Sequence, residues 1–163
     1  MSGRVRRWVL LLLALSAADT GVWATLAPRS WYDAFPGAGH HRVAVLGPYN
    51  EHLSRDVGGL YLALLVLSAG AAVRPADGYL VRLTAAAWLA FSIPHLIYHL
   101  GHLDMLEGTD KVLSVIGLGA VVIAGGALLL PYRRVPDVTS AAGGTSPAAD
   151  PHSAARSDQE TVI

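Results

Sequence analysis

The sequence predicts an all-α integral membrane protein, a four-helix bundle with a polar C-terminal tail. Three observations carry that reading. First, 53% of the 163 residues are hydrophobic, only 15% are charged, and the mean hydropathy is +0.43; soluble domains carry roughly 25% charged residues. Second, the charge deficit is deepest over residues 8–131, because Asp137, Asp150, Arg156, Asp158 and Glu160 all lie beyond it. Third, a membrane span needs about 20 mostly apolar residues, and four stretches meet that length. One transmembrane unit, residues 1–134, therefore precedes a tail, 135–163.

The first span is expected over residues 8–27, stopped by Pro28. Proline ends helices because it has no N–H to donate. A rival reading makes Arg4–Arg7 and the following apolar run a secretory signal, with Ser16-Ala17-Ala18 as its cleavage site. The apolar run resumes at Gly21 and reaches Ala27, so an uncleaved span is the reading carried forward. Asp19 lies in the middle of it. Such an acid should be neutral or paired, and His95 and Arg55 are its candidate partners. Asp19-Thr20-Gly21 also spells the aspartic-protease triplet, but that chemistry needs two carboxylates, and this chain has one copy inside a span.

The second span is expected over 57–73, before Arg74-Pro75. Asn50 reads as the N-cap of a helix entering it, with Glu51 in its first turn. His52 and Asp56 are then i, i+4 partners, and a carboxylate in that position commonly fixes an imidazole tautomer. Gly59 and Ala63 have the small-xxx-small spacing of membrane helix contacts. The third span is expected over 80–100. Pro94 interrupts it, frees the carbonyl of Ala90, and should bend it just below His95. The fourth is expected over 112–130, before Pro131. Gly117, Ala120, Ala124 and Ala127 form a stripe of small residues along it. These stripes should pack within the bundle, between subunits of a homo-oligomer, or against a membrane partner protein.

Orientation follows from the Lys/Arg bias of short loops. One side collects Arg4, Arg6, Arg7, Arg74, Arg82, Arg133 and Arg134; the other holds Arg29, Arg42, Arg55 and Lys111. The richer side should be cytoplasmic, so both termini are expected there. Trp8, Trp31, Tyr32, Tyr79 and Tyr132 fall near span ends, where interfacial aromatics gather. From Val135 the chain turns to Ser, Thr, Gly, Ala, Pro and charge. That composition cannot bury enough surface to order itself. Its last residues, Thr161-Val162-Ile163, fit a PDZ-type ligand, but three letters match readily by chance.

The richest feature is histidine placement. All histidines except His152 fall on the outer side: His40, His41, His52, His95, His99 and His102. His95, His99 and His102 share one face of the third helix. Ionisable groups at membrane depth are costly and usually have a job or a partner. Residues four apart sit about 6 Å apart at Cβ, so His95 with His99 can chelate one ion. His95 and His102 are about 10.5 Å apart along the axis, too far to share it. A metal site would thus take two ligands from this helix, His95 with His99 or His99 with His102, and others from His52, Asp56, Glu51 or the His40–His41 loop. Imidazole and carboxylate donors suit a transition metal such as zinc, Cu(II), iron or nickel. Haem b held by imidazoles on two helices would need no cysteine. The plainer reading is that these rings only hydrogen-bond across helices, for about 0.6–2 kcal/mol each. A third is proton sensing or transport, with Asp19 and His95 as the protonatable pair.

Several classes fall away. With no cysteine there are no disulfides, thiolate sites or c-type haem. Net charge is zero and no basic patch is dense enough for nucleic acid. No nucleophile–base pair or phosphate loop is readable, so an enzyme is disfavoured. Finally, Asn50-Glu51-His52 with Arg55-Asp56-Val57-Gly58, and Pro94-His95-Leu96-Ile97-Tyr98-His99, resemble segments of small uncharacterised four-span membrane proteins from high-GC bacteria. The resemblance covers the first to the fourth span, implies the same fold, and carries no activity over.

Overall fold

The computed structural model describes residues 1–131; the expected tail and Tyr132 lie outside the described residues. Every regular element among them is helical. Four long helices, α1 (Gly3–Leu26), α3 (Glu51–Val73), α4 (Gly78–Gly101) and α5 (Gly108–Leu128), are long and apolar enough to cross a membrane. The fourfold bundle of membrane helices follows the expectation. A short helix, α2 (Pro28–Ala34), and two single 3-10 turns, Ala44–Leu46 and Leu103–Met105, complete the path.

Each long helix begins before its apolar run, and in α1, α3 and α4 a side chain caps the polar first turn. The Ser2 side chain accepts from the Val5 N–H at 3.4 Å. Asn50 Oδ1 accepts from the Leu53 N–H at 3.1 Å, as the N-cap reading expected. Asp77 Oδ1 accepts from Tyr79 and Leu80 N–H at 3.1 and 3.0 Å. Caps satisfy donors that the first helical turn leaves orphaned. Hydropathy marks only the part of each helix suited to lipid, so it misses these turns. Pro28 closes α1 and becomes the first residue of α2, a position that tolerates its missing N–H. Pro94, in contrast, sits inside a continuous α4.

The helices pack as two antiparallel pairs. In the first, α1 lies on α3 with glycines at the crossing. A Cβ on Gly58 would meet Thr25 Oγ1 and stand 2.7 Å from the Thr25 backbone nitrogen; one on Gly21 would stand 3.0 Å from the nitrogen of Leu62. In the second, α4 lies on α5, and a Cβ on Gly125 would meet the Leu89 side chain at 3.1 Å. Close backbone approach is how membrane helices gain packing without a hydrophobic drive between them.

Most of the small-residue stripe positions face away from the rest of the bundle, which leaves contact between subunits or with a partner as their packing role. Gly59 and Gly117 have nothing within 4 Å of an added Cβ, and Ala63 and Ala120 are exposed. One residue of helix is 100° of rotation, so Gly58 and Gly59 face nearly perpendicular directions. Ala124 differs, packing partly buried against the core.

The two pairs are joined across α3 and α4. Trp88 Nε1 donates to Ser68 Oγ at 2.8 Å in the buried core. Thr84 Oγ1 lies 3.3 Å from the Leu67 carbonyl and donates to Leu80 at 2.9 Å. Leu10, Leu13, Ala17, Leu64, Ala71, Ala72, Val81, Ala85 and Leu128 join Trp88 in one buried cluster. At the end carrying Arg4, Arg6 and Arg7, Arg6 is buried and donates to the Leu130 carbonyl at 2.7 Å.

Candidate functional site

The opposite, histidine end is built differently. Beyond Ser92, α4 buries no residue, and α5 buries only Ser114 before Gly125. On the α4–α5 side polar clips take the place of that core, while α1 and α3 stay closely packed at Gly58, and Trp31 and Leu106 are buried. The 35–50 connection folds back so that Arg42 Nε donates to Asp110 Oδ1 at 2.9 Å and His40 Nδ1 meets the same oxygen at 2.6 Å. Tyr32 Oη donates toward the Gly47 carbonyl, with the Ala44 carbonyl 3.3 Å away. His41 Nδ1 donates to the Asp33 carbonyl. Arg29 pairs with Asp33 at 2.7 Å and lies 4.9 Å from the Tyr49 ring centroid. The Asp33 hydrogen bond and charge raise the Arg29 pKa further above its already high value.

Within this frame a run of rings climbs the α3–α4 seam. Tyr61 makes edge contacts with Trp88 at 6.2 Å and Phe91 at 5.2 Å. Phe91 stacks on His95 at 5.0 Å, and His95 meets the edge of His99 at 4.6 Å. The i, i+4 spacing of residues 91, 95 and 99 on one helical face produces this stack. His95 lies six residues before the end of α4, about 9 Å below it. The Nδ1 atom of His99 is shielded and has no hydrogen-bond partner, as are Thr25 Oγ1 and Trp31 Nε1 nearer α2.

Other expected site residues go elsewhere. His102 turns onto Tyr98, stacked at 4.1 Å, with Nδ1 donating to the Tyr98 carbonyl at 2.8 Å. A carbonyl only accepts, so the proton sits on Nδ1 and Nε2 keeps its lone pair. His52 does meet Asp56 as expected, at 3.4 Å, but on an open face with side chains 88 and 59% exposed. Arg55 pairs with Glu51 at 2.9 Å, and its Nη1 donates to the Thr25 carbonyl at 2.5 Å. That clip ties α3 to the end of α1 and takes Arg55 from Asp19. Asp19 is exposed, and neither His95 nor Arg55 reaches it. Neither of its expected partners meets it among the described residues.

The structure therefore brings together His95 and His99 and leaves His52, Glu51 and Asp56 on a separate helix face. No group of three or more His, Asp or Glu residues able to hold an ion occurs among the described residues. Haem b between two imidazoles would need a second ring from a facing helix, and His52 is engaged with Asp56 instead. The His40–Arg42–Asp110 cluster went unforeseen. Arg42 and Asp110 are 68 positions apart, and the charge tally placed them on one side without pairing them.

No family model matches this chain, and no curated protein or solved structure matches it either.

Proposed function

We propose that this is a multi-pass protein of a bacterial cytoplasmic membrane, both termini inside, whose outward histidine end binds a late transition metal through His95 and His99. The observation that carries the reading is the ring pair itself: two imidazoles in edge contact at 4.6 Å, one with a shielded Nδ1 that makes no hydrogen bond. With no partner at Nδ1, nothing within the chain's described residues fixes the His99 tautomer there, so the ring is free to offer a lone pair at that nitrogen, and neutral imidazole is the common donor for Zn(II), Cu(II) and Ni(II). Two donors make an open site, which water or a further side chain would complete. His102 Nε2 is near in sequence and keeps its lone pair. His52, with Asp56 holding its ring, would join after a local shift of the first turn of α3. The arginine bias supports the orientation. Membership of the four-span group from high-GC bacteria belongs to the same proposal.

Purification in mild detergent, followed by metal analysis by mass spectrometry and visible absorption, tests this. Stoichiometric metal that is lost in His95→Ala/His99→Ala is the expected result. A Soret band would replace the metal with haem. An empty protein, after supplementation with zinc, copper and nickel, would overturn the site and leave a proton-linked or structural role.

A further inference from the structure

The outward face of α1 carries a pattern that the fold does not use. Trp8, Leu12, Leu15, Asp19, Val22 and Leu26 recur at spacings of 4, 3, 4, 3 and 4. All six are exposed, the five apolar ones by 45–77%. The residues that α1 buries, among them Leu10, Leu13, Ala17, Gly21 and Ala24, lie on the opposite side and pack on α3. A 3–4 alternation is the a/d seam of a helix pair, and a lone polar residue at an a position sets register and partner number. Here that residue is Asp19. It lies eight residues before Ala27, about 12 Å in from the end of the span, close to the middle of a hydrocarbon core about 30 Å thick. It has no hydrogen bond or ion pair among the described residues, and lipid offers none.

We infer that this face is covered by a second copy of the same chain, with α1 against α1 in parallel and the two Asp19 side chains meeting across a twofold axis. Identical topology places both carboxyl groups at one depth, which no antiparallel or unrelated helix guarantees. A carboxyl group is also its own complement. A protonated Asp19 donates to the carboxylate or carbonyl oxygen of its mate, so two costly groups satisfy each other. The contact is isologous and closes as a dimer. Because α3 occupies the other side of α1, the bundle need not rearrange to form it.

The chain has no cysteine, so single-cysteine variants of the full-length protein report the contact cleanly. Leu15→Cys should form a disulfide-linked dimer in membranes under copper-phenanthroline oxidation. Val66→Cys, equally exposed on α3, should give less than about a tenth of that yield. In detergent, Asp19→Leu should weaken the dimer about tenfold, as loss of an interhelical polar contact does, whereas Asp19→Asn should keep it. Asp19 faces away from the core, so both variants should fold. Equal cross-linking at Leu15 and Val66, or an Asp19→Leu dimer as tight as the parent, would overturn the inference. So would a Leu15→Cys adduct with a different protein.

Discussion

The two ends of the bundle are held by different physics. At the arginine end, α1, α3, α4 and α5 bury a shared apolar cluster around Trp88, and Arg6 closes it against the Leu130 carbonyl. At the histidine end, α4 buries nothing after Ser92, and the connection 35–50 is fastened by ion pairs and backbone clips at Asp110, Gly47 and Asp33. Close packing is resistant to local change, because each buried group touches many others. Charged clips near water are individually weak and depend on salt. The end that carries the imidazole pair is thus also the end that can adjust around a ligand.

That contrast can be broken in several ways. The largest effect should follow Trp88→Ala, which removes both the largest buried side chain of the cluster and the hydrogen bond to Ser68. Large-to-small changes at buried aromatics cost about 3–5 kcal/mol, so thermal unfolding in detergent should fall sharply. A variant as stable as the parent would show that the cluster does not hold the two helix pairs together. Next comes Gly58→Ala, where the new methyl meets the Thr25 backbone, costing about 1–3 kcal/mol. Its neighbour change Gly59→Ala should stay within about 0.5 kcal/mol of the parent, as open surface positions do. Similar losses at both positions would mean that α3 presents a different face to α1.

Smaller effects are expected for the polar contacts of the histidine end. Arg42→Ala should leave the bundle folded but expose 35–50 to limited proteolysis, and high salt should do the same to the parent. Equal protection in the variant would remove the Arg42–Asp110 clip as a fastener. The smallest change is expected for His52→Ala, whose exposed pair with Asp56 contributes no more than about 0.5 kcal/mol. A large loss of stability, or of bound metal, would instead place His52 inside the site.

Much of the fold was legible because lipid imposes a simple rule: a span must be long, apolar and internally hydrogen-bonded. Residues 57–73 and 80–100 follow that rule and were readable at once. Asn50 and the His52–Asp56 pair were legible too, since both depend only on neighbours within one helical turn. The α2 helix was not. At seven residues, ending in a loop with mixed charge, it lacks the length that makes helical periodicity visible. The His40–Arg42–Asp110 cluster was hidden because several acids share that end and only the path of the loop selects one.

The sequence by itself determined four membrane-length helices, their punctuation by Pro28, Pro75 and Pro131, and the placement of His95 and His99 on one helical face. These are properties of local composition and of the 3.6-residue period. Only the tertiary structure decided which glycines meet a neighbour, Gly21, Gly58 and Gly125 rather than Gly59 and Gly117. It also decided that the His52–Asp56 pair lies apart from His95 and His99 and that Asp19 faces outward. Those outcomes depend on how each helix is rotated about its axis. A uniformly apolar helix has no strong hydrophobic face to declare that rotation, so side-chain packing between helices sets it.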